Sequence, residues 1–303
     1  MKELVVISGK GGTGKTSTVA SFAACAGRAV LADCDVDAAD LHLVLKPDIR
    51  RRENFSGGGT ARIKPGHCVA CGKCEEICRF DAIYFDGPGN GRVPKTFRVD
   101  PIACEGCGVC AWFCAENAIE FKPANNGQWF VSDTRFGPMV HARLNVAEEN
   151  SGKLVTLVRN NAREIAEKGK IDLIISDGSP GIGCPVIASI AAADLVLAVT
   201  EPTMSGRHDL ERVIGLVKHF GIPLAVAVNK WDINTEMTGH IEELVREHGI
   251  EMAGRVRYDP SVTAAMVKGV SVVELGDCPA AVDLKTVWQH VSAMLDRTTT
   301  KNS

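Results

Sequence analysis

Residues Gly9 to Thr16 read Gly-Lys-Gly-Gly-Thr-Gly-Lys-Thr and satisfy the pattern G-x-x-x-x-G-K-[ST]. That pattern constrains its surroundings. A glycine-rich loop turns its backbone N–H groups onto phosphate oxygens only when a buried strand delivers it and a helix N-terminus receives it. Both flanks comply. "ELVVIS" before the loop is a short apolar run, and Lys15 to Ala26 carry helix formers and small residues. "RAVLADCD" follows as a second buried strand, so the chain opens as a βαβ unit. Gly9, Gly11, Gly12, Thr13, Gly14 and Ser17 are the expected phosphate wrap, Lys15 the arm to the outer phosphates, and Thr16 the Mg²⁺ ligand. Lys10 is a second lysine inside the loop, beyond what the pattern requires.

Apolar runs of the same kind return later. "IDLIISDGSPG", "ADLVLAVTEP" and "IPLAVAVNKWD" read as buried strands; "ERVIGLVKHFG", "IEELVREHG" and "VDLKTVWQHVSAML" read as helices. On the last helix Val282, Leu284, Val287, Trp288, Val291, Met294 and Leu295 form a predicted core stripe. The expected class is α/β: a mostly parallel sheet flanked by helices. From about Pro47 the chain turns basic and glycine-rich with no sustained period, and a cysteine block follows. The expected organisation is therefore a host of residues 1–59 and 126–303 interrupted by a small α+β domain over 60–125. The segment "HARLNVAEENSGKLV" is dense in polar residues and reads as a solvated loop leading to a helix with Ser151 as its cap.

In the block, Cys68, Cys71, Cys74 and Cys78 are spaced C-x₂-C-x₂-C-x₃-C, and the spacing recurs thirty-six positions on at Cys104, Cys107, Cys110 and Cys114. This is the run of two-cluster bacterial ferredoxins, in which the fourth cysteine serves the other cluster. One predicted [4Fe–4S] cluster takes Cys68, Cys71, Cys74 and Cys114; the second takes Cys104, Cys107, Cys110 and Cys78. Zinc needs four thiolates per ion and gives no reason for a third close cysteine. The proline usual after each fourth cysteine is replaced by Arg79 and Ala115, and Arg79 sets a cation near a cluster. Cys25, Cys34, Cys184 and Cys278 are isolated and read as small buried thiols.

The two-lysine loop resembles the deviant Walker A of the MinD/ParA/nitrogenase-iron-protein group in the CobQ/CobB/MinD/ParA nucleotide-binding family. The resemblance implies a homodimer on ATP binding, with Lys10 crossing the interface to touch the other subunit's phosphates. There it would neutralise charge developing in phosphoryl transfer. "LADCDVDAADLHLVL" matches the family's first switch, which puts Asp35 where the attacking water is oriented and Asp33 two residues before it. Asp37 is a further candidate, and Asp40 reads as a cap. "IDLIISDGSPGIG" matches the second switch, with Asp177 holding Mg²⁺ through water. Asn229 fits the base-contacting asparagine; yet Asn229 to Asp232 also spells the N-K-x-D of GTPases, so GTP stays open beside ATP. "GRVRYDPSV" resembles the segment closing over the base, with Arg257, Tyr258 and Asp259 as candidates. Over nearly its whole length the chain resembles MinD-type ATPases carrying an inserted 2[4Fe–4S] ferredoxin domain.

That resemblance implies three functions. The first is ATP-gated electron transfer through the clusters to an unidentified redox partner. The second is a metal-cluster assembly or insertion ATPase acting on a metalloprotein. The third, a MinD/ParA-like spatial regulator, fits least. The tail "DRTTTKNS" is no basic amphipathic helix, and a net charge of −3 offers no field for nucleic acid. No apolar run approaches the ~20 residues of a membrane span, and no signal peptide opens the chain, so a cytoplasmic protein without membrane or nucleic-acid partners is expected.

Overall fold

The computed structural model describes residues 1–145 and 151–299. In chain order the first elements are β1 (Lys2–Ser8), α1 (Lys15–Ala26), β2 (Val30–Asp33), α2 (Leu41–Leu45) and β3 (Asp48–Phe55). Next come β4 (Gly59–Ile63), α3 (Lys73–Glu76), β5 (Ile83–Pro88), β6 (Lys95–Val99), α4 (Val109–Trp112) and β7 (Ile119–Pro123). The chain continues through β8 (Gly127–Thr134), β9 (Gly137–Leu144), α5 (Ser151–Gly169), β10 (Leu173–Pro180), α6 (Cys184–Ile190) and β11 (Leu195–Thr200). It closes with α7 (Met204–His219), β12 (Leu224–Asn229), α8 (Thr235–Glu247), β13 (Glu251–Val256), α9 (Pro260–Lys268) and α10 (Pro279–Thr299). Two compact units result: one holds Met1–Glu53, Trp129–Arg143 and the chain from Ser151 onward, the other Asn54–Gln128 and the chain from Leu144.

The first unit is built on a nine-stranded sheet in the order β13-β12-β11-β1-β10-β2-β9-β8-β3. β1 pairs in parallel with β10 and β11, and parallel pairing continues outward to β2, β9, β12 and β13. Alternate residues of β1 serve opposite faces, as the pleat requires. Leu4 and Val6 pack with α1 and α10, whereas Val5 and Ile7 pack with α6, α7 and α8. A strand covered on both faces must be apolar throughout, which is why these strands were visible as continuous runs. Their shared direction gathers Ser8, Asp33, Asp177, Thr200 and Asn229 at one edge, where open α/β sheets bind ligands.

The sheet is wider than predicted. β3 occupies the stretch from Pro47 that carried no period, because as an edge strand it exposes both faces over most of its length. Arg51 and Arg52 lie over the rings of Trp129 and Phe130. The expected polar loop instead begins inside β9, and His141 is buried there, hydrogen-bonded to Ser132 Oγ at 2.9 Å and stacked on Phe130. Ser151 opens α5, and the loop's residues 146–150 lie outside the described residues. Val282 leaves the predicted stripe of α10, being 49% exposed, whereas Leu284, Val287, Val291, Met294 and Leu295 are buried.

The second unit repeats itself. Antiparallel pairs β4–β7 and β5–β6 accompany the short helices α3 and α4. Left-handed backbone recurs at matched positions: Ala70 with Gly106, Gly72 with Gly108, and Asp81 with Asn117. In each copy two such residues flank the middle cysteine, Cys71 or Cys107, and curl the loop. Asn90 Nδ2 braces the first loop by donating to the carbonyls of Pro65 and Cys68. The core is spare: Ala61, Ile63, Ile83, Phe97, Ala118 and Ile119 pack around cysteines.

Candidate functional site

The phosphate loop leaves β1 and enters α1, with Gly12 and Gly14 at φ 80 and 90. Two of its glycines are fixed by neighbours. A Cβ at Gly9 would stand 2.4 Å from Asp209 Cβ, and one at Gly14 2.3 Å from Asn229 Nδ2. Asn229 closes the loop from the end of β12 by donating to the Thr13 carbonyl at 2.8 Å. The Thr13 hydroxyl and Asp177 Oδ2 are buried and have no hydrogen-bond partner.

Lys15 is buried between two acids, 2.8 Å from Asp177 Oδ1 and 3.2 Å from Asp35 Oδ2. Burial works against its charge, but Asp177, Asp35 and Asp33 outweigh it and raise its pKa. Asp33 sits in register with Asp177 at the end of β2 and accepts from the amides of Asp35 and Leu41, so it ties the first-switch segment down. Burial, then repulsion from Asp177, push its carboxyl well above the usual range. Burial also raises Asp35 despite Lys15, and raises Asp37. Asp33, Asp35 and Asp177 crowd one buried lysine, and Asp177 Oδ2 accepts no hydrogen bond. The half-buried Thr16 and the unpartnered Asp177 Oδ2 fit a divalent cation held mostly through water and phosphate oxygens.

Lys10 points elsewhere. Its Nζ donates to Ser205 Oγ at 3.1 Å and Thr203 Oγ1 at 3.4 Å, at the first turn of α7, with Glu201 Oε2 3.8 Å away. Past the end of β12, Asp232 accepts from the Tyr258 amide, which joins the Asn229–Asp232 turn to the 257–259 segment. Arg257 is locked in a fork with Asp283, and Asp259 caps α9 through the Ser261 amide, so both are engaged within the chain. Tyr258 keeps an exposed ring, and Ser17 Oγ lies 3.6 Å from Met266 Sδ. Thr16 is half-buried in the first turn of α1.

In the second unit, a cavity of ≈ 360 Å³ has Cys78, Cys104, Cys107 and Cys110 in its walls. A smaller one, ≈ 30 Å³, is walled in part by Cys68, Cys71, Cys74 and Cys114. Each cavity thus draws three cysteines from one run and the fourth from the other. Burial raises the Cys110 thiol, with Cys104, Cys107 and Cys78 adding, and burial raises Cys74 to about 11. The Ala118 amide donates to Cys114 Sγ at 3.3 Å. Among the described residues no three His, Cys, Asp or Glu side chains converge on the point a single ion would occupy. A four-iron cube binds each thiolate at a different iron, so its ligands surround a volume; the ≈ 360 Å³ cavity is of that kind, whereas the ≈ 30 Å³ one has room for little more than a water and would have to open to hold a cube. Of the remaining cysteines, Cys34 is buried and Cys25 and Cys278 are half-buried; Cys184 is exposed at the start of α6, contrary to expectation.

Residues 4–272 match the CobQ/CobB/MinD/ParA nucleotide binding domain. The chain belongs to that family. Uncharacterized protein MJ0578 of Methanocaldococcus jannaschii is 34% identical over 235 residues, 77% of this chain and 79% of that protein. An iron-sulfur cluster carrier protein of Pyrococcus furiosus is 26% identical over 144 residues, 43% of this chain and 48% of that one. The cell division ATPase MinD of Pyrococcus furiosus, at 17% identity, covers 97% of this chain and 99% of its own with a TM-score of 0.57, a likeness of fold. No described helix is long and apolar enough to cross a membrane.

Within this family fold, sequence reasoning overlooked Glu201, Thr203 and Ser205, and read Lys230 only as part of the N-K-x-D pattern. They stand near the phosphate loop because β11 neighbours β1 and β12 neighbours β11. The available signal was position: an acid just past a buried strand, at the sheet edge where ligands bind.

Proposed function

We propose that the chain is a nucleotide-dependent iron–sulfur protein, an ATPase whose sandwich dimer gates electron transfer through two [4Fe–4S] clusters to a redox partner. The observation that carries the reading is the coexistence, in one chain, of a two-lysine phosphate loop and two cavities walled by crossed cysteine sets. Residues 60–125 form the ferredoxin-type domain, and residues 1–59 and 126–303 form the ATPase. ATP is preferred to GTP because the fold neighbour MinD of Pyrococcus furiosus is an ATPase.

The residues divide the work. Loop amides from Gly9 to Ser17 bind the phosphates, and Asn229 meets the base, with Asp232, Arg257 and Asp259 shaping its surroundings. Bound Mg²⁺ would neutralise phosphate charge, held by Thr16 and, through water, by Asp177. Lys15 leaves its carboxylate partners for the β- and γ-phosphates, which frees Asp35 to orient the attacking water. That water attacks the γ-phosphorus, the bond to the bridging oxygen breaks, and Lys10 of the other subunit balances the leaving charge. The clusters would supply one-electron chemistry. Cys68, Cys71, Cys74 and Cys114 hold one, and Cys104, Cys107, Cys110 and Cys78 the other.

The test is an anaerobic redox titration followed by EPR, without nucleotide, with Mg·ADP, and with a non-hydrolysable Mg·ATP analogue. Gating predicts a shift of tens of millivolts with the analogue, where ~59 mV corresponds to tenfold for one electron. Identical potentials in all three states would sink the gating. A second reading, cluster assembly or insertion, is favoured by the resemblance to the cluster carrier protein. It predicts cluster transfer to an apo-acceptor that speeds with ATP turnover. Replacing Cys71 or Cys107 with serine should cost one cluster each, read as iron content; unchanged iron would refute the ligand sets.

A further inference from the structure

Lys10 occupies a place that electrostatics alone does not favour. A cation at a helix N-terminus meets the positive end of the dipole. Yet Lys10 Nζ lies on the first turn of α7, donating to Ser205 Oγ and to Thr203 Oγ1, the residue that caps the helix. What offsets this is Glu201, only 14% exposed, with Oε2 3.8 Å from Lys10 and Oε1 bonded to Lys230 Nζ. One carboxylate therefore serves two ammonium groups. The backbone of Lys10 is fixed separately, its carbonyl accepting from Ser8 Oγ at 2.8 Å, so only the side chain needs to swing. Lys230 follows directly on Asn229, whose Oδ1 accepts from the Lys230 amide while its Nδ2 holds the Thr13 carbonyl. The competitor for Glu201 is thus tied to the residue that closes the phosphate loop.

We propose that Glu201 is a positioning residue that parks Lys10 on its own subunit in the nucleotide-free chain, and that Lys230, by competing for the same carboxylate, sets how firmly it is parked. This rests on the sandwich reading, in which Lys10 acts across the interface. Lys230 already holds Oε1 in direct contact while Lys10 stands 3.8 Å from Oε2, so releasing Lys230 tightens Lys10 on its own subunit and keeping Lys230 in place leaves Lys10 ready for the partner.

The experiment compares wild type, Glu201→Gln and Lys230→Met as full-length, iron-loaded protein. The first readout is the rate of amine modification of Lys10 in the nucleotide-free monomer, followed by mass spectrometry. The second is the dimer dissociation constant with a non-hydrolysable Mg·ATP analogue, from sedimentation. Glu201→Gln should raise Lys10 labelling about two- to fivefold, the range of a partly exposed ion pair. Each sandwich opens two latches, so its dimer constant should tighten by roughly the square of that factor. Lys230→Met should move both readouts the opposite way, which general loss of structure does not do. Labelling unchanged in both variants, or shifted in the same direction, overturns the latch. Lys10→Ala separates the two ideas: if it dimerises like wild type, the sandwich reading fails and the labelling alone decides the latch.

Discussion

At Ala70 an L-residue is held at φ 55, and its counterpart Gly106 is at φ 60. The repeat asks both for the same left-handed turn, but their surroundings differ. A Cβ on Gly106 would come 2.3 Å from the Gly59 carbonyl oxygen. Ala70→Gly should therefore stabilise the iron-loaded protein by about 0.5–1 kcal/mol through relief of αL strain. Gly106→Ala should cost about 2 kcal/mol or more. Anaerobic denaturant titration checks both, and equal effects of like sign would contradict the comparison. Lys15, Thr16 and the eight cysteines could be singled out as candidates because the motifs that name them are written in local spacing. Glu201 was not, since its closeness to Lys10 exists only once β11 lies beside β1. The pairing of Lys15 with Asp35 and Asp177 was likewise hidden, because it joins the first residue of α1 to residues of β10 and just past β2.

Among the elements, β9 departs most from expectation, and His141 is the reason it matters. Burial, with some repulsion from His42, lowers its pKa from 6.5 to about 4. A depressed folded-state value means the stabilisation is present above the unfolded pKa and is lost as the pH falls toward the folded one. Over pH 6.5 to 4 the sheet unit should lose up to about 3 kcal/mol. His141→Gln, which keeps a polar partner for Ser132, should flatten that part of the profile in thermal melts across pH. A profile as steep as wild type would remove His141 as the cause. The central strands were readable from sequence since both their faces are buried and apolar. β3 was not: an edge strand with six of its eight residues exposed has no hydrophobic rhythm to detect.

For the whole molecule, the two units have cores of different character. The sheet unit packs large aliphatic layers on both faces, whereas the 54–128 unit packs a handful of apolar side chains among cysteines. In so spare a core, the proposed clusters would turn their ligation energy into folding energy. Anaerobic chelation of iron should therefore release amide-exchange protection in β4 to β7 while leaving β1, β10 and β11 protected. Uniform loss through both units would argue against separate cores. The ends of the smaller unit are also joined: the Asn126 amide donates to the Phe55 carbonyl at 2.9 Å, and Asn126 Oδ1 accepts from the Gly57 amide. β3 and β8 are sheet neighbours, so residues 54–128 leave the sheet from one strand and return to it on the adjacent one. Such a closed detour can be lost, gained or exchanged in ancestry without re-threading a single strand, so descent of the cysteine unit and descent of the nucleotide unit need not have shared a history.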